Sequence, residues 1–173
     1  MKEFILTLSF NITNILILIF CILICNLAGM PGNIFAILRK NDWYLHLKKP
    51  FFHPPSWIFT PIWLSLYTLM GISIFIILNH NINQPKSALA LFYFALLLIF
   101  NTFWSMIFLE FRLFIAGIIA IIILWLITIM TLYYFFLVSY IAGILLIPYF
   151  VWISFITIIN LSLWRLNKPG YQM

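Results

Sequence analysis

Apolar residues run along this chain in long blocks, broken at only a few places by charge or by proline. No charged residue or histidine falls between Glu3 and Arg39, between His53 and His80, or between Lys86 and Glu110. The longest block separates Arg112 from Arg165. As a single helix, that block would extend about 78 Å at 1.5 Å per residue, against about 30 Å of bilayer hydrocarbon. It therefore holds two spans. The whole pattern predicts five, at about residues 4–28, 56–79, 87–109, 113–136 and 142–164. The fold class is all-α: a polytopic membrane protein built as a five-transmembrane-helix bundle, with residues 1–173 forming one domain.

Three connections, 80–86, 110–112 and 137–141, are short. Short links predict antiparallel neighbouring helices. The link 29–55 is long; it contains Gly29, Pro31 and Gly32 and leads into PFFHPPSWIFTPIW at 50–63. Pro54 and Pro55 hold the entering chain extended, and Ser56 is the expected N-cap of the second span. Pro61 then falls inside that span, and Pro148 inside the fifth. Each proline frees a carbonyl one turn back, that of Trp57 or Ile144, and bends its helix. Two bent helices in a small bundle hold their neighbours apart and leave a cavity.

Composition agrees with this picture. The chain is 66% hydrophobic and 7% charged, whereas soluble domains carry about 25% charged residues. Its net charge of +6 reports topology. Arg39, Lys40, Lys48, Lys49, Arg112, Arg165 and Lys168 fall on one side of the predicted spans, Lys2 and Lys86 on the other. By the positive-inside rule the 29–55 loop and the C-terminus lie inside and the N-terminus outside. No soluble domain carries these cations as a patch, so a nucleic-acid partner is not expected. Lys2 precedes the first span, but the apolar stretch outruns a signal-peptide core and Glu3 interrupts the basic segment, which predicts a retained helix. Cys21 and Cys25, one turn apart inside it, read as small buried hydrophobes.

Seven tryptophans stand in this sequence. An interfacial belt accounts for those near span ends, Trp43, Trp57 and Trp164. Trp63, Trp104 and Trp152 lie deeper, on stripes with helical spacing. Trp63, Tyr67 and Met70 share one face of the second span; Asn101, Trp104, Ser105 and Phe108 share one of the third; Tyr149, Trp152, Ile156 and Asn160 share one of the fifth. An amide in hydrocarbon needs a partner, so Asn101 and Asn160 are expected to face inward. Trp125, among Ile, Leu and Thr, reads as packing. The stripes alone fit either aromatic helix packing glued by two amides or a flat aromatic pocket with a few polar groups. The basic loop above them suits a planar hydrophobic ligand bearing carboxylates.

Other chemistries find no residues. His46, His53 and His80 all lie in predicted loops, so facing spans offer no haem-ligating pair. No His/Cys/Asp/Glu cluster has metal-ligand spacing, and no metal or cofactor is expected. Glu3, Asp42 and Glu110 stand at or beyond span ends, which leaves no mid-membrane carboxylate for proton coupling and no buried acid for a hydrolase triad.

The segment WYLHLKKPFFHPPSWIFTPIWLSLYTLMG at 43–71 resembles the loop and second-helix signature of the TspO/MBR family, the tryptophan-rich sensory proteins and mitochondrial translocator proteins. NTFWSMIF at 101–108 and IPYFVWISFITIINLSLWRLN at 147–167 resemble its third- and fifth-helix motifs, in the family's order and spacing. The resemblance implies a five-helix bundle that dimerises and binds porphyrins such as protoporphyrin IX, isoquinoline and benzodiazepine-type ligands, and lipid or sterol. It implies a receptor with a sensory, regulatory or transport role. It makes Trp63 and Trp152 the facing tryptophans implicated in light-dependent porphyrin breakdown, the alternative, enzymatic role. Asn101 becomes the polar ligand contact, Tyr44 part of the lid and Trp104 a wall; Phe59, Tyr67, Phe108, Tyr149 and Ile156 complete the lining. The chain departs from the animal members at Leu161, where their cholesterol pattern has tyrosine, and Met106 stands where a variant of the third-helix motif has proline. Ala116 and Ala120 form a small-xxx-small pair of the kind that brings membrane helices together.

Overall fold

A computed structural model describes residues 12–38, 46–80, 84–110 and 113–167. Five helices, each long and apolar enough to cross a membrane, make up its frame. They are α1 (Ile12–Leu38), α2 (Ser56–Leu78), α3 (Pro85–Ser105), α4 (Phe114–Val138) and α5 (Tyr140–Leu166). Helix α3 continues without a break into a π-helical turn, Met106–Glu110. In hydrocarbon only a helix satisfies its own backbone groups, which is why apolar runs of this length all become helices.

Helix α1 does not stop at Gly29. The loop expected over 29–55 loses its first ten residues to the helix, which passes Pro31 and Gly32 and ends at Leu38. The physical reason is local. Pro31 removes one backbone donor, a cost confined to the Leu27 carbonyl. One residue on, the Ala28 carbonyl accepts an additional bond from Thr102 Oγ1 of α3 at 2.8 Å. Residues 4–11 of the predicted first span lie outside the described residues. A smaller difference concerns Ser56: it is the first helical residue, and Pro55 occupies the capping position with extended backbone.

The helices close in the order α1–α2–α5–α4–α3, with α3 returning to α1. Consecutive α3, α4 and α5 are neighbours as short links require; Ser139 alone separates α4 from α5 and accepts a capping bond from the Ala142 amide. Helices α2 and α3, joined by the equally short 80–86 link, meet only lightly, against that expectation, while α1 packs against both.

Lipid tails are as apolar as leucine, so helices associate through close packing and interhelical bonds, and small residues gather where backbones meet. The buried stripe of α1 is Cys21, Cys25 and Gly29, both cysteines being free thiols. A Cβ on Gly71 of α2 would lie 2.5 Å from the Ile22 Cα; the two backbones approach too closely for any side chain. Ala120 is buried inside the chain, and a Cβ on Gly117 would come 2.9 Å from a Phe108 ring carbon. Of the small pair on α4, Ala120 is thus packed within the chain, while Ala116 is only half-buried. Ser73 Oγ reaches across to the Ala142 carbonyl at 2.7 Å and ties α2 to the start of α5.

Candidate ligand site

Helical periodicity brings the three stripes to the interior. Trp63, Tyr67 and Met70 are buried on α2; Asn101, Trp104, Ser105 and Phe108 along α3 and its π-turn; Tyr149, Ile156 and Asn160 on α5, with Trp152 half-buried. At their centre Asn101 bridges two tyrosines. Its Nδ2 donates to Tyr67 Oη at 2.5 Å, and its Oδ1 accepts from Tyr149 Oη at 3.0 Å. One amide thereby joins α2, α3 and α5. Asn160 behaves differently: its Nδ2 is buried with no hydrogen-bond partner among the described residues. The expectation that both amide groups would be paired holds for Asn101 and fails for the Asn160 nitrogen.

Around this bridge the rings form one continuous cluster. Trp63 stacks on Tyr67 with centroids 5.4 Å apart and planes at 17°. It meets Tyr149 at 6.3 Å and stands edge to face against Trp152 at 6.2 Å. Phe59 packs on Trp152 at 5.7 Å. Each such pair contributes about 0.5–1.5 kcal/mol beyond area burial. Gly29 of α1 helps set the cluster, because a Cβ there would fall inside the Tyr67 ring. Trp104 and Phe108, also expected in the lining, stack on each other at 6.2 Å, and Phe108 meets Phe114. These three form a second aromatic group on α3 and α4.

Each of the two aromatic groups holds a buried donor. The indole N–H groups of Trp152 and Trp104 are both buried and lack partners among the described residues. Together with Asn160 Nδ2 they make three buried side-chain nitrogens with no hydrogen-bond partner among the described residues. A hydrogen bond between membrane helices is worth about 0.6 kcal/mol on average, with a ceiling near 1.7, so a molecule bringing an acceptor to one of these donors would recover energy of that order. Trp125 is not merely packing. Its Nε1 donates to Ser154 Oγ at 2.8 Å, a bond hidden in the sequence because serine bears no helical relation to a residue on another span.

Residues 46–55 form a strap against the cluster. Pro50 and His53 close a turn through the His53 amide and the Pro50 carbonyl, 3.0 Å apart. The turn places Phe52 on Phe155 at 6.3 Å and His53 on Phe59 at 5.7 Å. Phe155 in turn meets Trp152 at 5.6 Å. Burial first, and the nearby Lys49 ammonium second, hold the His53 imidazole below its ordinary value. Phe52 and Phe155 were not singled out from the sequence, and His53 was read there only as a loop histidine; a contact between a loop and a distant helix leaves no local signal in the sequence. Tyr44, expected in the lid, lies outside the described residues, as do Arg39 and Lys40.

Comparison with known proteins agrees with the motifs. The model of the TspO/MBR family matches residues 21–165. A tryptophan-rich protein TspO of Archaeoglobus fulgidus is 36% identical over 154 residues, covering 89% of this chain and 99% of that protein. Protein CrtK of Rhodobacter capsulatus is 34% identical over 84% of this chain and 89% of its own length. The human translocator protein is 30% identical over 82% of this chain and 85% of its own. With five membrane-crossing helices, the three motifs in register and a family match from α1 to the end of α5, this integral multi-pass membrane protein belongs to the TspO/MBR family.

Proposed function

We propose that the protein is a membrane receptor for porphyrins and related planar hydrophobic ligands, bound at the Phe59–Trp63–Tyr67–Tyr149–Trp152 cluster, with a sensory, regulatory or transport role. The observation that carries this reading is the unanswered indole N–H of Trp152 inside an aromatic cluster. Aromatic faces suit a flat conjugated ring, and the donor suits an acceptor on it. Lys48 and Lys49 on the strap suit propionate groups, whose charge stays near water. Isoquinoline and benzodiazepine-type compounds share the flat ring and carbonyl acceptor and belong to the same ligand class; lipid or sterol and a second copy of the chain are further proposed partners. The cationic side, with the strap, faces inward.

Titration of the purified protein with protoporphyrin IX in the dark, followed by tryptophan fluorescence, tests the reading. Saturable quenching is expected, with affinity reduced about tenfold in Trp152→Phe, which keeps a ring and loses the donor. Quenching that never saturates, or that Trp152→Phe leaves untouched, refutes it. The edge-to-face contact of Trp63 and Trp152 favours a second reading, light-driven loss of bound porphyrin with these indoles as electron partners. Porphyrin loss under illumination that persists when both are phenylalanine rules that out.

A further inference from the structure

Asn167 stands just past the last turn of α5, where its backbone amide and its side-chain Nδ2 both reach the Leu163 carbonyl, at 3.1 and 2.8 Å. That much is ordinary helix capping and needs only a donor. The side chain does more. Its Oδ1 accepts from the Lys48 amide at 3.0 Å, and its Nδ2 also donates to the Lys48 carbonyl at 3.0 Å. The two residues are 119 positions apart. A side-chain amide offers a donor and an acceptor in the geometry of a peptide group, and here it pairs with one residue of the strap as a neighbouring strand would.

Lys48 is well placed to transmit that grip. Pro50 restricts Lys49 to extended backbone, and Pro54 and Pro55 do the same further on. The intervening Pro50–His53 turn is closed by its own hydrogen bond. The strap is therefore stiff. Holding Lys48 sets the position of Phe52 against Phe155 and of His53 against Phe59, the two rings that both rest on Trp152.

We infer that Asn167 is a positioning residue that latches the strap over the aromatic cluster and so sets how fast ligand enters and leaves. This rests on the porphyrin-binding reading for its ligand, but the latch itself is testable without one. An asparagine acting only as a helix cap would influence the end of α5. A latch influences the strap, and it changes association and dissociation rates in the same direction.

The first measurement is amide hydrogen exchange on the ligand-free protein, wild type against Asn167→Ala and Asn167→Asp. Loss of two hydrogen bonds of ordinary strength predicts exchange about tenfold faster over the strap in Asn167→Ala, with α2, α3 and α4 unchanged. Asn167→Asp keeps the acceptor for the Lys48 amide and loses the donor for its carbonyl, so it should fall between. It also guards against a misfolded alanine variant. Strap exchange unaltered in both variants overturns the latch. The second measurement is stopped-flow quenching by protoporphyrin IX. Both rate constants should rise about tenfold in Asn167→Ala with the dissociation constant within about threefold. Faster strap exchange with unchanged ligand rates overturns the gating role. A wild type that binds no protoporphyrin defeats the ligand reading instead, and leaves the exchange result to decide the latch.

Discussion

The Asn101 bridge yields the sharpest stability prediction. Asn101→Leu keeps roughly the same volume and removes both interhelical bonds, leaving the Tyr149 hydroxyl without its acceptor and the Tyr67 oxygen without its donor. All three residues are at most 3% exposed, so water cannot substitute. Deletion of a buried partner in a soluble protein would cost about 1–3 kcal/mol per orphaned group. Within a bilayer the unfolded helices also find polar partners, and measured interhelical bonds average about 0.6 kcal/mol with a ceiling near 1.7. The membrane values govern here, which places the cost of Asn101→Leu at about 1–3 kcal/mol for the pair. The distinguishing feature lies in the rescue. Adding Tyr67→Phe and Tyr149→Phe removes the orphaned hydroxyls, and replacing all members of a polar group by apolar ones is close to neutral. Reversible unfolding in sodium dodecyl sulfate, followed by tryptophan fluorescence, should show the single variant destabilised and the triple variant most of the way back to wild type. A triple variant less stable than Asn101→Leu would refute the reasoning, because the two tyrosines would then be held by something other than the amide.

Four further outcomes follow from the packing and the strap. Gly71→Ala drives a methyl group into the backbone of α1, where nothing can rotate away, and should cost about 1–3 kcal/mol or abolish folding, whereas Gly29→Ala meets a side-chain ring and should shift ligand affinity more than thermal stability. Trp125→Phe loses its bond to Ser154 and should destabilise by about 0.6 kcal/mol with no effect on ligand titration, since that pair lies outside the aromatic cluster. Because His53 has its value lowered from 6.5 in the docked strap, an undocked strap binds the proton more readily. Docking is therefore not opposed by this proton above pH 6.5 and weakens as pH falls below it. Strap hydrogen exchange, corrected for its intrinsic rate, should accelerate between pH 7.5 and 5.5 in wild type and stay level in His53→Gln.

Several elements were legible in the residues alone, and for a common reason. Lipid admits only backbones that satisfy themselves, so charge-free runs had to become helices, and four of the five begin or end within a few residues of where charge and proline place them. The 3.6-residue period fixed which side chains share a face, and that put Trp63 with Tyr67, Asn101 with Trp104, and Tyr149 with Ile156 before any fold was known. What failed was the break expected at Gly29 and Pro31: one glycine and one proline do not outweigh an apolar run, and the helix carries on to Leu38, with Gly29 lying against the Tyr67 ring.

What the tertiary structure alone decided is which faces meet. The order α1–α2–α5–α4–α3, the pairing of Asn101 with two tyrosines, the Trp125–Ser154 bond and the grip of Asn167 on Lys48 are all relations between residues far apart in the chain. Periodicity is a property of one helix and carries no record of its neighbours. In a medium as apolar as the side chains themselves, burial gives no preference among faces either. Shape at the small residues and the matching of a few polar groups make that choice, and both exist only once the helices have come together.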